Sequence, residues 1–440
     1  TYRMSLIKSI SGIRGTIGGK TGDNLTPVDT VKFASAYGTW LKRNSSEKEI
    51  KVVIGRDARI SGSMVSNLVA STLQGVGIHV IDLGLSTTPT VEMMVTHLGA
   101  DGGIILTASH NPKQWNALKL LNAKGEFISG KDGEELLKIA ENEDFDFVEV
   151  DYLGSYTKYD TAIEYHINKI LELPLVDVDA VKKAGFKVVL DAVNSTGGIS
   201  VPPLLQKMGV EVVEMYCEPN GQFPHNPEPL EVNLADIMKK VPEVKADLGI
   251  VVDPDVDRLA LISEDGSMFG EEYTLVTVAD YVLSQTPSST VSNLSSSRAL
   301  RDIADKYSQK YEASAVGEVN VVTKMKDLGA KIGGEGNGGI IYPELHYGRD
   351  SLVGIALFLT HLAKKGVSCK QLRETYPPYF MGKKKIDLQP GINTDLILEK
   401  LTEKYKNEPI TTIDGLKIDF PSTWVHLRKS NTEPIIRIYT

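Results

Sequence analysis

Three segments of the chain repeat the same order of strand, helix and polar loop. The stretch KVVIG begins at Lys51, and its counterpart KVVLD begins at Lys187. Farther along, ADGGIILTASH from Ala100 matches ADLGIVVDPDVDR from Ala246, and a looser copy ends in AKIGGEGNGG from Ala330. Strands that alternate with helices of roughly 10–15 residues indicate βαβ units and parallel pairing. We therefore predict an α/β fold with three similar domains in tandem, whose sheets are mixed and mostly parallel.

The segment after the third copy has a different pattern. From about Met381 it contains short strand-like stretches around one helical segment at 394–406, which predicts a smaller C-terminal α+β domain. At roughly 150 residues per domain, the 440 residues give a length prior of about three domains, and the distinct C-terminal pattern adds a smaller fourth. The predicted domain limits are 1–154, 155–262, 263–372 and 373–440.

Composition excludes several classes of protein. The formal net charge of −9 argues against a nucleic-acid partner, which normally requires a basic face. No apolar run approaches the roughly 18 residues of a membrane span, so we expect no membrane partner. Cys217 and Cys369 lie far apart without metal-ligand spacing, and the predicted location is therefore cytoplasmic. An anionic substrate would need a local cluster of Arg and Lys in this acidic chain.

The first candidate site is the loop TASHNP, residues 107–112, called the serine loop below. It follows a predicted buried strand that includes Ile104 to Leu106. Ligands of open α/β sheets bind where strands end, which places Ser109 and His110 where chemistry can occur. The alternative is that Thr107, Ser109 and Asn111 only cap a following helix.

The second candidate is the loop DPDVDR, residues 253–258, called the aspartate loop. Its carboxylates at Asp253, Asp255 and Asp257 repel one another unless a cation lies between them, and oxygen ligands suit Mg²⁺ or Ca²⁺. A calcium EF-hand is rejected because Arg258 stands where that loop requires Gly. A phosphatase with Asp253 as nucleophile stays open as an alternative.

Two further loops carry groups that recognise sugars and phosphates. Among the five glycines of residues 333–339, the glycine loop, stand Glu335 and Asn337, which suit hydrogen bonds to vicinal hydroxyls. The segment 428–437, the basic loop, combines cations with short neutral donors, as phosphate recognition requires. Its candidate residues are Arg428, Lys429, Ser430, Asn431, Thr432 and Arg437.

These four loops together indicate phosphoryl transfer through a phosphorylated serine. A Ser-His-Asp hydrolase fits less well, because His110 adjoins Ser109 in sequence and no G-x-S-x-G motif is present. The rival hypotheses are a Mg²⁺-dependent sugar phosphatase and a sugar-phosphate-binding protein without activity.

The order TASHNP, DPDVDR, E-x-N and RKSNTEP resembles the α-D-phosphohexomutases. The resemblance covers the whole chain and includes the opening SGIRG from Ser11 to Gly15. It implies four domains around a central cleft. Within the family, the likeness is greatest to phosphoglucosamine mutases and to phosphoglucomutase/phosphomannomutase enzymes.

The resemblance also implies roles for individual residues. Ser109 would carry the phosphoryl group and His110 would help order it. The metal ligands would be the Ser109 phosphate with Asp253, Asp255 and Asp257, holding Mg²⁺. The charge of the transferring group would be stabilised by Arg14 and Arg258, and Lys119 would act as general acid and base. Sugar hydroxyls would contact Glu335 and Asn337, and the non-reacting phosphate would contact Arg428, Ser430, Asn431, Thr432 and Arg437.

The implied reaction is a reversible 1,6-phosphate shift on a hexose through a bisphosphorylated intermediate, primed by a hexose 1,6-bisphosphate. The implied partners are small hexose phosphates, with glucosamine 6-phosphate expected first and glucose or mannose phosphates as the alternative. Many bacterial members read E-x-S-G-H in the sugar-binding loop, whereas here Asn337 is followed by two glycines. A monomer or homodimer is expected.

Overall fold

Four β-sheets, one after another along the chain, organise the protein. The computed structural model describes residues 3–9, 12–430 and 434–440. Three mixed sheets carry helices on their faces, and the fourth sheet is antiparallel. This architecture confirms the predicted fold class. Two single-turn 3₁₀ helices, at Val150–Tyr152 and Glu231–Asn233, lie in connections.

The first unit has a seven-stranded sheet in the order β1-β2-β6-β5-β3-β4-β7. Its elements are β1 (Ile7–Ser9), β2 (Gly12–Thr16), α1 (Pro27–Asn44), β3 (Lys51–Arg56), α2 (Gly62–Gly75), β4 (His79–Leu85), α3 (Thr88–His97), β5 (Gly102–Leu106), β6 (Trp115–Leu121), α4 (Gly130–Glu141) and β7 (Tyr156–Lys158). Successive residues of β3 and β5 point to opposite faces. Val53 and Ile105 pack under α3, while Ile54 and Ile104 join the core beneath α1, α2 and α4. Both faces are therefore covered, as the apolar strands predict.

The second unit has a four-stranded sheet in the order β11-β10-β8-β9. Its elements are α5 (Ala162–Leu171), α6 (Val178–Ala184), β8 (Lys187–Asp191), α7 (Gly197–Lys207), β9 (Glu211–Met215), α8 (Ala235–Glu243), β10 (Leu248–Val252) and β11 (Leu259–Ser263).

The third unit has a four-stranded sheet in the order β13-β12-β14-β15 and shares one large core with the second unit. Its helix α12 is apolar all round and buried for most of its length, as expected of a central core helix. The elements are α9 (Tyr273–Gln285), β12 (Thr290–Asn293), α10 (Ala299–Lys306), β13 (Tyr311–Ser314), α11 (Glu318–Leu328), β14 (Ile332–Glu335), β15 (Gly339–Ile341), α12 (Ser351–Lys365) and α13 (Cys369–Glu374).

The fourth unit is a five-stranded antiparallel sheet in the order β16-β20-β19-β18-β17, with one helix. Its elements are β16 (Lys383–Asp387), α14 (Thr394–Lys404), β17 (Ile410–Thr411), β18 (Leu416–Asp419), β19 (Trp424–Lys429) and β20 (Ile435–Tyr439). In the described part of the chain, no helix combines the length and the apolar character that crossing a bilayer requires.

The three repeated loops hold the same place in the topology. Strand β5 pairs in parallel with β3 and antiparallel with β6, and the serine loop joins β5 to β6. In the second unit β10 pairs in parallel with β8 and antiparallel with β11, around the aspartate loop. In the third unit β14 pairs in the same way with β12 and β15, around the glycine loop. Each loop therefore starts at the carboxyl end of a parallel strand, where ligands of such sheets bind.

Candidate active site

Ser109 is buried at the boundary between the first and second units. Its side chain is only 3% exposed, and its Oγ donates a hydrogen bond to Oδ2 of Asp253 at 3.2 Å. The backbone of Ser109 is left-handed, with φ of 53°, and its amide donates to Oγ1 of Thr107. A serine in this region is uncommon and marks a locally determined conformation. The helix-cap interpretation of this serine is wrong, because the loop leads into strand β6.

Arg59 holds the serine loop in place. Its guanidinium is buried, pairs with the Asp57 carboxylate at 3.0 Å and donates to four backbone carbonyls, three in the serine loop and one at the start of β6. Its Nη2 lies 2.6 Å from the carbonyl oxygen of Ser109, and the other three acceptors are the carbonyl oxygens of Asn111, Pro112 and Trp115. Asp57 also accepts from the Thr107 hydroxyl at 2.5 Å. The planar fork of Arg suits this role, since its donors satisfy several acceptors from one rigid group.

The aspartate loop is a tight turn whose backbone orients its own carboxylates. The amides of Asp257 and Arg258 both donate to Oδ1 of Asp253 at 3.1 Å. Val256 is left-handed with φ of 64°, a strained conformation for a β-branched residue. Such strain persists only where the surrounding structure imposes it.

Three buried carboxylates of this loop converge. One oxygen from each of Asp253, Asp255 and Asp257 lies within 4.8 Å of the others. Oδ1 of Asp255 and Oδ1 of Asp257 are buried without a hydrogen-bond partner in the described structure. Buried carboxylate oxygens normally have partners, so these two fit the position of oxygen ligands to a hard cation such as Mg²⁺.

The surroundings of Asp253 and Asp255 shift the pKa values of these two carboxyl groups in opposite directions. Burial, together with the charges of Asp255 and Asp257, raises the pKa of Asp253 well above its ordinary value. Burial acts in the same direction on Asp255, but the ammonium of Lys119 and the hydroxyl of Thr88 outweigh it and lower the pKa of Asp255. A cation placed among the three carboxylates would favour ionisation of all of them.

Lys119 and Thr88 connect the aspartate loop to the first unit. Nζ of Lys119 lies 3.3 Å from Oδ2 of Asp255, and the Thr88 hydroxyl donates to the same oxygen at 2.7 Å. The amide of Thr88, at the start of α3, donates to the Asp255 carbonyl at 2.9 Å. The buried ammonium of Lys119 is thereby fixed beside the carboxylates.

Three more basic groups, Arg14, His110 and Arg258, lie in or next to the serine loop. Nη1 of Arg14 donates to Oδ1 of Asn111 in the serine loop at 2.5 Å, and burial lowers the pKa of Arg14 to about 10. Burial, reinforced by Arg258 and Arg14, lowers the pKa of His110 to about 2, so this imidazole is neutral at neutral pH. Nε of Arg258 is buried without a described partner. The serine hydroxyl is thus placed between a carboxylate cluster and several positive groups.

The glycine loop meets this centre through Arg349, which the sequence reading did not single out. The guanidinium of Arg349 donates to Oδ2 of Asp257 at 2.9 Å, to Oε2 of Glu335 at 3.0 Å and to Oε1 of Glu318 at 3.1 Å. The three carboxylates outweigh the effect of burial and raise the pKa of Arg349 well above its ordinary value.

The remaining side-chain hydrogen bonds of Glu335 and Asn337 lie within the third unit. Oε1 of Glu335 accepts from the side-chain amide of Asn293 at 3.0 Å and from the amide of Gly317 at 3.3 Å. Oδ1 of Asn337 accepts from the amide of Gly339 at 3.1 Å and so stabilises the turn. Gly338 has φ of 86°, and a Cβ there would lie 2.0 Å from the Leu259 carbonyl oxygen, so the bare backbone allows the close approach.

Arg349 immediately precedes Asp350, the residue that caps helix α12. Asp350 caps this helix by accepting from the amides of Leu352 and Val353. Its other oxygen accepts from Nε2 of His166 at 2.7 Å and from Nε2 of His346 at 2.9 Å. These three side chains also have the composition of a metal site, but the N–O distances are those of hydrogen bonds.

The basic loop lies on the fourth unit. Arg428 on β19 and Arg437 on β20 are directly opposite one another in the sheet, and the amide of Ser430 donates to the Ile435 carbonyl. Nε of Arg428 donates to Oδ1 of Asp414 at 2.9 Å, and Lys429 pairs with Asp395 at 3.0 Å. Two further predicted residues of this loop, Asn431 and Thr432, lie outside the described residues.

Asp414 also fixes the basic loop relative to the third unit. Its Oδ2 accepts from the amide of Val316 at 2.9 Å, and its carbonyl accepts from Nε2 of His426 at 2.6 Å. Nδ1 of the same imidazole lies 2.7 Å from Oγ of Ser295. The structure therefore joins the serine and aspartate loops directly, joins Glu335 to the aspartate loop through Arg349, and connects the basic loop to the third unit through Asp414.

The sequence and structure are similar to those of known mutases. Three family models, described as phosphoglucomutase/phosphomannomutase α/β/α domains I, II and III, match residues 6–147, 164–266 and 270–379. A phosphoglucomutase/phosphomannomutase from Thermococcus kodakarensis is 36% identical over 432 residues, which are 97% of this chain and 93% of the relative. The chain belongs to the α-D-phosphohexomutase family.

Other members of this family extend the comparison. A phosphoglucosamine/phosphogalactosamine mutase from Sulfurisphaera tokodaii is 33% identical over 442 residues, covering 99% of this chain and 95% of the relative. The crystal structure of a phosphoglucomutase/phosphomannomutase family protein from Burkholderia thailandensis superposes with a TM-score of 0.85 at 26% identity, covering 98% of this chain and 92% of that one. The protein is a phosphohexomutase, in agreement with the enzyme class that the family resemblance implies.

Proposed function

We propose that this phosphohexomutase moves a phosphoryl group reversibly between the 1- and 6-oxygens of a hexose through phosphorylated Ser109. The observation that carries the proposal is the buried bond from Oγ of Ser109 to Asp253, within a cluster of carboxylates and cations. Phosphoryl transfer depends mainly on positioning and charge stabilisation, which such a cluster supplies.

The carboxylates of Asp253, Asp255 and Asp257 would hold Mg²⁺, with an oxygen of the Ser109 phosphate as a further ligand. Mg²⁺ prefers a few carboxylates together with phosphate oxygens, and two unpartnered carboxylate oxygens support this assignment. When bound, the ion would neutralise part of the charge on the transferring phosphoryl group.

In the proposed reaction, a sugar hydroxyl oxygen forms a bond to phosphorus while the bond from phosphorus to Oγ of Ser109 breaks. The Lys119 ammonium donates a proton to the leaving Oγ of Ser109, and the resulting amine accepts the proton of the attacking hydroxyl, with the two roles exchanged in the reverse step. Arg14 and Arg258 stabilise the equatorial charge, and neutral His110 adjoins the carried phosphate. The bisphosphorylated sugar then turns over, and its other phosphoryl group returns to Ser109.

Substrate recognition is proposed for the two remaining loops. Glu335 and Asn337 would bind sugar hydroxyls, while Arg428, Ser430 and Arg437, with Asn431 and Thr432, would bind the phosphate that does not react. One phosphate-binding loop must hold either end of the sugar, which suits a loop on a separate domain. The opposed positions of Arg428 and Arg437 support such a site.

We propose glucosamine 6-phosphate as the preferred substrate, converted to glucosamine 1-phosphate. The support is overall likeness, because relatives include a phosphoglucosamine/phosphogalactosamine mutase and several probable phosphoglucosamine mutases. The competing assignment is glucose or mannose phosphate, supported by the relative named phosphoglucomutase/phosphomannomutase.

The phosphatase hypothesis is disfavoured by the environment of Asp253. Its Oδ1 accepts from two backbone amides and its Oδ2 accepts from the Ser109 hydroxyl, so attack on a phosphate ester would first have to displace Ser109, whereas phosphorylation of Ser109 would free Oδ2 for Mg²⁺. A mutase keeps phosphate in the sugar pool, whereas a phosphatase releases it as the inorganic ion.

The test is to assay glucosamine, glucose and mannose phosphates in parallel, with Mg²⁺ and a hexose 1,6-bisphosphate primer. We expect the highest kcat/KM for glucosamine phosphate and no release of inorganic phosphate.

Ser109→Ala should lower turnover by at least about 10³-fold and abolish the mass increment of one phosphoryl group. Ser66→Ala, at another buried serine, is the control. Full activity of Ser109→Ala would contradict the mechanism, and equal rates on all three sugars would contradict the substrate assignment.

A further inference from the structure

A cavity with several charged lining residues lies between the third and fourth units. Its volume is about 530 Å³, and its walls come from the segment before and within α10 and from β18 with the turn after it. None of the serine, aspartate, glycine or basic loops lines it. The charged lining residues are Arg298, Arg301, Lys417, Asp419 and Glu408.

Lys417 is the least satisfied of these charged groups. It is only 8% exposed, and its Nζ lies 3.9 Å from the closest carboxylate oxygen, on Asp419. Among the described residues its ammonium has no hydrogen-bond partner, although Nζ lies 4.7 Å from the centre of the Trp424 ring. A buried ammonium normally donates to several acceptors, so the position favours an anionic ligand.

The neighbouring arginines add positive charge that is only partly neutralised. Arg298 pairs with Asp419 at 3.3 Å and donates to backbone carbonyls of the fourth unit, of which the Phe420 oxygen is closest at 2.7 Å. Arg301 is exposed at the cavity and forms no salt bridge or side-chain hydrogen bond with the described residues. Burial, with repulsion from both arginines, lowers the pKa of Lys417.

The backbone also makes the electrostatic potential in the cavity more positive. Ser296 and Ser297 line the cavity immediately before α10, an eight-residue helix, so the amino end of its dipole faces this space. Helix amino ends attract anions, here in addition to the side-chain cations. Three cationic side chains therefore stand against two carboxylates, with the helix end adding to the positive side.

We propose that this cavity binds a phosphate group, as the free dianion or as the end of a small phosphate ester, separately from the basic loop. Lys417 of the fourth unit and Arg301 of the third unit would contact the anion from opposite walls. The bound anion would thus join the two units and restrain the movement of the basic loop. Binding at this cavity does not depend on the proposed mutase chemistry.

The test is isothermal titration calorimetry of the full chain with inorganic phosphate, repeated with glycerol 3-phosphate. For at least one probe we expect two classes of binding site, one at this cavity and one at the basic loop. The probe that binds the cavity more tightly shows whether its ligand is free phosphate or a phosphate ester. Lys417→Met and Arg301→Gln should each weaken one class at least about tenfold, as loss of a charge-assisted contact implies. Arg437→Gln should leave that class intact and weaken the other.

Controls separate binding from folding and from mutase activity. Arg301 is exposed, so Arg301→Gln tests the site even if Lys417→Met fails to fold. Lys384→Met, at an exposed lysine of β16, should change neither class. Identical isotherms for the wild type and Arg301→Gln, or loss of all binding in Arg437→Gln, would overturn the proposal. A crystal grown with phosphate should show a tetrahedral anion between Lys417 and Arg301.

Discussion

Nη2 of Arg349 lies 2.9 Å from Oδ2 of Asp257, and this contact ties the third unit to the aspartate loop. The same guanidinium holds Glu335 of the glycine loop. The start of α12 reinforces the connection, because the amide and hydroxyl of Ser351 donate to the carbonyls of Val256 and Arg258. The candidate metal and sugar groups are therefore coupled mechanically and electrostatically.

Arg349→Met should destabilise the protein and impair both candidate sites. Removing this cation leaves three carboxylates without their shared partner, and breaking a buried charge network costs about 3–5 kcal/mol. We expect a lower unfolding temperature and weaker activation by Mg²⁺, measured by calorimetry and by metal-dependent rates. The matched control is Arg43→Met, which breaks exposed pairs with Asp144 and Asp146 worth no more than about 1 kcal/mol each. Equal effects of the two variants would rule out the bridging role.

Asp414→Asn should raise KM for the hexose phosphate more than it lowers kcat. The substitution weakens the charge-assisted bond that orients Arg428 and the link to the Val316 amide. A bond to a charged group contributes about 1.5–3 kcal/mol, so we expect a rise in KM of at least about tenfold. Asp395→Asn is the control, because it breaks only the exposed pair with Lys429. An unchanged KM in Asp414→Asn would remove this positioning role.

Mg²⁺ should stabilise the folded protein through the aspartate loop. A ligand present at about 100 times its dissociation constant adds about 2.7 kcal/mol to the stability of the state that binds it. We expect the unfolding temperature to fall in a chelator and to recover with Mg²⁺, as followed by scanning calorimetry. Asp257→Asn should reduce this response, whereas Asp265→Asn, at an exposed turn, should preserve it. A full response in Asp257→Asn would place the cation elsewhere.

Titration of Glu272 should lower the free energy of unfolding as pH rises. Burial raises its pKa from 4.5 to about 7, although the hydrogen bond from the Ser297 amide opposes this shift. Between these pH values the folded protein retains a proton that the unfolded chain has released, so the stability is greatest at the acid end of the window and is lost toward pH 7.

Comparing Glu272→Gln with the wild type by denaturant unfolding across this window isolates the effect. The variant should show a flatter pH dependence, because its amide does not titrate. Glu374→Gln, at an exposed position, should follow the wild-type profile. Parallel curves for the wild type and Glu272→Gln would show that this carboxyl titrates normally.

The recurring loops were predictable from sequence because they depend on local pattern and topology. Ser109 and Asp253 each follow an apolar strand, and equivalent strands bring their loops to one place. The fold class was predicted correctly on that basis, and the family was predicted correctly from the resemblance of four ordered motifs. Domain limits and the roles of individual residues stay predictions.

The contacts of Arg59 and Arg349 could not be predicted from sequence patterns, for a physical reason. Arg59 stands in a segment that reads as an exposed charged loop, yet its acceptors are backbone carbonyls that no residue type reveals. Arg349 contacts Asp257 and Glu335 across a distance in sequence that only the packing of α12 closes. The adjacent RD pairs, Arg56-Asp57 and Arg349-Asp350, were the available signal, but charge pairs are common on protein surfaces.

The contacts of Arg59 with the serine loop determine whether the enzyme or the sugar must move during the proposed reversible transfer. Four carbonyls and one carboxylate hold Arg59, and through it the backbone of Ser109. A serine whose backbone is anchored in this way stays in one place and cannot move between the 1- and 6-oxygens of the hexose. In the proposed cycle all rotation therefore belongs to the ligand, which must present its opposite ends in turn to one unmoving hydroxyl.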